Sequence, residues 1–207
     1  MTEPVATADS LSSDNAVISL PKFTGDDFVV NRVRGHKGLV NTLDTHFTEH
    51  HLFASGSEDC SVRLWDLRGG AKTVKCLLGS SHPIAAVMFD PKDSNILYSV
   101  MNGCNLCISD IRKEGLIDRE PLSTIEFELS VGCDVNSTCV HKKENVVAIA
   151  DDEKVTIVDL IQQRQRVFTR VHSNVVSKVA FKPNSIGDIA SCGFDYIYNS
   201  WDYRTGR

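Results

Sequence analysis

The chain has 207 residues, 42% of them apolar and 24% charged, with 22 Lys and Arg against 27 Asp and Glu for a formal net charge of -5. That is enough chain to bury one sizeable core, and a negative balance with no long basic run argues against a dedicated nucleic-acid binder and leaves proteins as the expected partners. Seven cysteines, no charged-then-apolar leader and no run of 18 apolar residues together point to reduced thiols in a cytoplasmic or nuclear protein, away from disulfides or a membrane span.

Residues 1–15, MTEPVATADSLSSDN, carry almost no large side chain and cannot offset the entropy of ordering, so a flexible tail is expected there. From residue 16 to 207, short alternating apolar runs are punctuated by Gly, Asn, Asp, Lys and Pro, and nothing sustains helical periodicity. This predicts one all-β domain. The stretch "DFVVNRVRGH" (27–36) opens it with a strand near 28–33 and the pair Gly35-His36. The turn "DTHFTEHHLF" groups His46, His50 and His51, for which solvated side chains are expected. Next, "ASGSEDCSVRLWDLR" (54–68) sets an acidic turn between two runs and closes on Trp65-Asp66-Leu67-Arg68.

That pattern returns along the chain. "ASCGFDYIYNSWDYR" (190–204) repeats Ala54, Ser55, Asp59, Trp65, Asp66 and Arg68 as Ala190, Ser191, Asp195, Trp201, Asp202 and Arg204. "YSVMNGCNLCISDIR" (98–112) and "VAIADDEKVTIVDLI" (147–161) fit the same frame. The closing aspartates Asp66, Asp110, Asp159 and Asp202 lie 44, 49 and 43 residues apart. Units of this length with several strands each are the signature of propeller blades. With His36, His82 and His172 ahead of the first, second and fourth units, and Trp-Asp closing the first and fourth, the chain resembles the WD-repeat, or β-transducin-like, family. The resemblance implies a β-propeller domain over 16–207, with four recognisable repeats ending near 68, 112, 161 and 204. Because rings of this family usually hold seven repeats, an open or incomplete propeller is expected, with the strand near 28–33 poised to complete the last blade.

In this family a histidine, a serine or threonine, an aspartate and the closing tryptophan form a hydrogen-bonded relay inside a blade. The matching residues are His36, Ser55, Asp59 and Trp65 in the first unit, and His172, Ser191, Asp195 and Trp201 in the fourth. The second unit keeps Ser99 but has Gly103 and Ser109 at the Asp and Trp positions, and the third has lost both His and Trp. Ser, His and Asp are also the types of a hydrolytic triad. A set repeated per blade and capped by an indole reads as structural instead, so no catalytic residue is expected.

Other constellations weigh little. Cys104 and Cys107, with Cys133, Cys139 and His141 following, have ligand types for zinc. Residues three apart on a strand point to opposite faces, so no metal site and no cofactor are expected. Arg164, Arg166 and Arg170 read as charges on an exposed outer strand that discourage edge pairing.

Function has to come from residues the fold does not require. The family resemblance extends to the Trp-Asp-x-Arg box by which a subset of these propellers docks on damage-specific DNA-binding protein 1, the adaptor of cullin-4 ubiquitin ligases. It implies adaptor contacts at Asp66, Arg68, Asp110, Arg112, Asp202 and Arg204, on a non-catalytic scaffold serving as a substrate receptor. An arginine that pairs only with its own aspartate is the structural alternative. A peptide- or histone-binding scaffold without a ligase link is the rival function. No direct nucleic-acid, membrane or small-molecule partner is expected, and the variable segment 113–130 is the expected seat of specificity.

Overall fold

The computed structural model describes residues 33–68, 72–80, 82–102, 105–112, 123–126 and 134–206, within one compact unit running from Val33 to Arg207. All its regular elements are strands. The first sheet is a meander of β1 (Val40–Thr45), β2 (Leu52–Ser57), β3 (Ser61–Asp66) and β4 (Lys72–Gly79). The second repeats it with β5 (Ile84–Phe89), β6 (Ile96–Met101), β7 (Asn105–Asp110) and β8 (Ser123–Glu126). The third has β9 (Val135–Val140), β10 (Val146–Asp151), β11 (Lys154–Asp159) and β12 (Arg164–Phe168), and the fourth has β13 (Val176–Phe181), β14 (Asp188–Gly193) and β15 (Tyr198–Asp202). Every pairing within a sheet is antiparallel.

Each sheet packs its face on the next, through β1 against β5, β5 against β9 and β9 against β13. A strand inside such a stack must be apolar on both sides, which is why β10 reads Val-Val-Ala-Ile-Ala-Asp and is buried throughout. Its odd and even residues serve different neighbours. Val147 and Ile149 join Val100 and Leu106 of the second sheet, whereas Ala148 and Ala150 join Val176, Val179 and Ile189 of the fourth. Between the first and second sheets, Ala54, Val62 and Leu64 meet Ile84, Val87 and Phe89. Gly56 is small for the same reason, since a Cβ there would run into Ile84 and Thr42.

The inner strands are also tied by hydrogen bonds that satisfy main-chain groups the ladders leave over. Thr42 Oγ1 and Asp44 Oδ2 accept the N–H groups of Val87 and Phe89, at 3.4 and 2.8 Å, and Ser137 Oγ accepts that of Val179 at 3.2 Å. Burial pushes the Asp44 carboxyl above its ordinary range, although the Phe89 and Thr45 N–H groups pull it back.

The four sheets form an open propeller: among the described residues no comparable contact joins the fourth sheet to the first. Equivalent positions show the consequence. Leu43 on β1 is 66% exposed, whereas Val179, at the same register on β13, is 2% exposed against the third sheet. The proposed closing strand falls mostly on 28–32, outside the described residues. Two expectations need correcting. Segment 113–130 contains β8, so it is partly the outer strand of the second sheet. In the third unit the hairpin turn is one residue shorter: Ala150 pairs with Val155 where Gly56 pairs with Val62, so the repeat frame slips by one ahead of that turn.

The corresponding turns of the first and fourth sheets put Cys60 and Tyr196 at φ 62 and 64, in the left-handed region. A bulky side chain there is strained, and Tyr196 is fully exposed and loses no packing if truncated. Tyr196→Gly is therefore expected to raise the thermal midpoint, with a gain of about 1 kcal/mol. Thermal unfolding checks it, and an unchanged or lower midpoint would mean the turn is not strained.

Candidate functional site

Two hydrogen-bonded chains run through the first and fourth sheets. An indole N–H can only donate, and Trp65 Nε1 lies 2.7 Å from Ser55 Oγ, so that oxygen is the acceptor. The Ser55 hydroxyl then donates to His36 Nε2 at 2.7 Å, which leaves the ring proton on Nδ1, 3.0 and 3.1 Å from the Asp59 carboxylate oxygens. Asp59 also accepts from the Ser61 hydroxyl at 2.6 Å and the Lys37 N–H at 2.8 Å. Burial alone would raise the Asp59 carboxyl; Ser61, Lys37 and His36 outweigh it and hold the group far below its usual range. In the fourth sheet Trp201 Nε1 is 3.3 Å from Ser191 Oγ, His172 Nε2 is 2.9 Å from the same oxygen, and His172 Nδ1 is 2.9 and 3.0 Å from Asp195. Asp195 is likewise lowered: burial opposes ionisation, but His172 and the N–H groups of Ser173 and Ile197 prevail.

The two chains differ at the indole. Trp65 is buried and stacks on Phe53 with ring centroids 6.0 Å apart, while Trp201 is only half-buried, beside Phe168 at 4.7 Å. Trp65 is therefore a fully buried cap and Trp201, whose sheet has three described strands, is not. In the second sheet Ser99 is buried, Ser109 is half-buried and His82 lies exposed; Gly103 is outside the described residues. As a nucleophile Ser55 is badly placed: it is 3% exposed, and its oxygen already accepts the indole proton.

The closing aspartates share one role. Asp66, Asp110 and Asp202 each accept, through Oδ1, the N–H two residues on, at 2.8, 2.9 and 2.7 Å, and Asp159 does the same for Ile161 at 2.9 Å. Each is an aspartate turn that ends the third strand of its sheet. The arginines divide. Arg68 Nη2 and Arg112 Nη2 each lie 2.8 Å from their own Asp66 or Asp110, with both arginine side chains mostly exposed at 68% and 60%. The Arg68 side chain leads the interactions that lower the Asp66 carboxyl to about 2. Arg204 turns instead to Glu144 of the third sheet, which also accepts from the Tyr203 hydroxyl. Burial and then Glu144 push the Tyr203 hydroxyl up to about 12.

Two histidines carry a role that composition did not reveal. His46, expected to be solvated, is 4% exposed: its Nδ1 accepts the N–H groups of Thr48 and Glu49 at 3.4 and 3.0 Å, and its ring meets Phe89 edge-on. His141 repeats this with Lys143, Glu144 and Phe181. His50 stays exposed and His51 is half-buried, 3.6 Å from Glu49. The available signal was the recurrence of His-x-x-Glu, His46 to Glu49 and His141 to Glu144, after the first strand of two units. Cys107 and Cys139 lie on strands, Cys104 and Cys133 are outside the described residues, and among the described residues no cluster suits a metal ion. Arg164 and Arg166 lie exposed on the outer strand β12, where Arg166 Nη1 donates to the Tyr203 and Arg204 carbonyls at 3.3 and 2.5 Å; Arg170 is beyond the strand, at φ 63.

Trp65→Ala is expected to cost about 3 to 5 kcal/mol and Trp201→Ala distinctly less, because only the first indole is fully enclosed. Chemical denaturation of both variants reads the difference, and equal losses would contradict it. A pH series tests the aspartates. With folded values below the unfolded one of about 4, Asp59 and Asp195 contribute stability that is complete above that pH and disappears as pH falls toward their folded values. Asp59→Asn with Asp195→Asn should lower the neutral-pH midpoint and flatten its decline below about pH 4. A decline as steep as in the wild type would place the acid sensitivity elsewhere.

Comparison with known proteins agrees with this geometry. The WD domain, G-beta repeat, matches residues 28–66. WD repeat-containing protein 53 homolog of Dictyostelium discoideum is 26% identical over 181 residues, covering 86% of this chain and 47% of that protein. Nuclear distribution protein PAC1 of Candida tropicalis is 31% identical over 90 residues, 42% of this chain and 18% of the relative. Histone acetyltransferase type B subunit 2 of Candida glabrata is 22% identical over 212 residues, 93% of this chain and 48% of the relative. The chain thus spans about half the length of the first and third relatives and less of the second. Four successive antiparallel sheets, the paired Trp-Ser-His-Asp chains and the G-beta match over residues 28–66 together make this chain similar to the WD-repeat family and give it the fold of an open propeller carrying a WD repeat.

Proposed function

We propose that this chain is a non-catalytic interaction scaffold that docks, through Arg68 and Arg112, on the adaptor of a cullin-4 ubiquitin ligase, damage-specific DNA-binding protein 1. WD-repeat proteins act as protein-interaction scaffolds. The observation that carries the finer reading is the matched pose of two arginines on adjacent sheets. Each is paired with the aspartate two residues before it, Nε as well as Nη2 reaching the carboxylate, and its side chain is still mostly exposed to solvent. A pre-set planar cation suits bidentate recognition of a partner's carboxylate or carbonyls and loses little entropy on docking. Asp202 and Arg204 are the alternative second contact in this reading; the engagement of Arg204 by Glu144 of the third sheet favours Arg68 and Arg112 over it. Such a receptor would work in the cytoplasm or nucleus. The rival reading, a histone- or peptide-binding scaffold without a ligase, draws on the likeness to the histone acetyltransferase subunit.

Arg68→Ala with Arg112→Ala should leave the thermal midpoint nearly unchanged, because exposed ion pairs contribute little to folding. The same variant should lose adaptor in co-immunoprecipitation, with affinity falling at least about thirtyfold if these are central contacts. Wild-type levels of capture by the variant, or no capture by the wild type, would refute the ligase reading. Loss of capture together with a clearly lower midpoint would assign the arginines a structural role.

A further inference from the structure

Between the turns that follow β9 and β13 lies a cavity of about 140 Å³. Val140, Phe181 and Pro183 give it apolar walls, and Lys142, Lys143 and Lys182 also line it. An apolar cavity of about this size holds a benzene ring. The turns that build it are held firmly: His141 Nδ1 accepts the Lys143 and Glu144 N–H groups, its Nε2 donates to the Ser185 carbonyl at 3.1 Å, and its ring rests edge-on against Phe181 at 5.0 Å.

Charge distinguishes this spot from the rest of the molecule. Lys142 and Lys143 are exposed and form no ion pair among the described residues, and Lys182 pairs with Asp188 at 3.5 Å with its side chain still mostly exposed. The two acidic side chains of these turns are already engaged, Glu144 by Tyr203 and Arg204, Asp188 by the Ser185 hydroxyl at 2.7 Å. A local cluster of three ammonium groups on a chain of net charge -5 is the reverse of its average surface. Lys142 also borders a second cavity, of about 400 Å³, along the inner strands, where Lys178 stands exposed.

We propose that this cavity is a docking site for an acidic linear peptide, which seats one leucine or aromatic side chain between Val140, Phe181 and Pro183 and sets carboxylates against Lys142, Lys143 and Lys182. The apolar walls select a side chain over a bare anion, and the lysines select acidic neighbours over basic ones. The site deepens the scaffold reading and is independent of its ligase partner, since it is tested with purified protein alone.

The probe is a dansyl-labelled peptide, Glu-Glu-Glu-Phe-Glu-Glu-Glu, followed by fluorescence anisotropy. Saturable binding is expected, weakening as salt is raised, and falling about tenfold or more both for the Phe→Ala peptide and for the Lys142→Glu, Lys143→Glu protein. Because the molecule as a whole is acidic, non-specific attraction would instead favour the Lys-for-Glu peptide. Equal or tighter binding of that basic peptide, unchanged binding by the double variant, or displacement of the probe by phosphatidylserine vesicles would overturn the proposal. Where circular dichroism shows the double variant unfolded, Lys182→Ala takes its place, with weakened binding expected and wild-type binding refuting the site.

Discussion

A tryptophan N–H is a donor that can never accept, and in the first sheet that single fact orders everything attached to it. With Trp65 donating to Ser55, the serine proton has only His36 to serve, and the histidine proton is driven toward Asp59. The chain joins the third strand to the second, then to the segment ahead of the first, and then to the turn between them. Such a chain matters because Ser55, Ser191 and His172 are buried, so their polar atoms have no water to fall back on. The first and fourth sheets use it; the third dispenses with it and fills β10 with six consecutive buried residues.

The same logic separates structural from presented groups. The closing aspartates are consumed by the turns, and the arginines are what is left over. Where a neighbouring sheet supplies a carboxylate, as Glu144 does, the arginine turns to it and the two sheets are pinned together through it and Tyr203. Where none is offered, as for Arg68 and Arg112, the guanidinium stays on its own aspartate and faces outward. The same Asp-x-Arg pattern therefore carries two different roles, decided by a residue some 60 positions away in the chain.

Strand content, repeat length and the residues of the two hydrogen-bonded chains can be read from the sequence, because each depends on local alternation or on the same types recurring at the same spacing. What escaped depended on packing across sheets. His46 looked like one of three turn histidines, yet its burial comes from Phe89 on the next sheet. Arg204 looked equivalent to Arg68, but its partner belongs to the third sheet. The slip of the third repeat was hidden because a turn shortened by one residue leaves Val155, Ile157 and Asp159 in frame while moving β10. Trp201 matched Trp65 in type and spacing, and only the covering strands distinguish their burial.

The direction of the protons in the Trp-Ser-His-Asp chains is the most exposed part of this account. Long-range nitrogen–proton correlation spectra of the folded protein at neutral pH report which imidazole nitrogen carries the proton. His36 and His172 should both carry a proton at Nδ1, and His46 and His141 one at Nε2 because their Nδ1 atoms accept main-chain N–H groups. Finding His36 and His172 protonated at Nε2 instead would mean that the serines do not relay the indole proton, and the chain on which the first and fourth sheets depend would not exist as described.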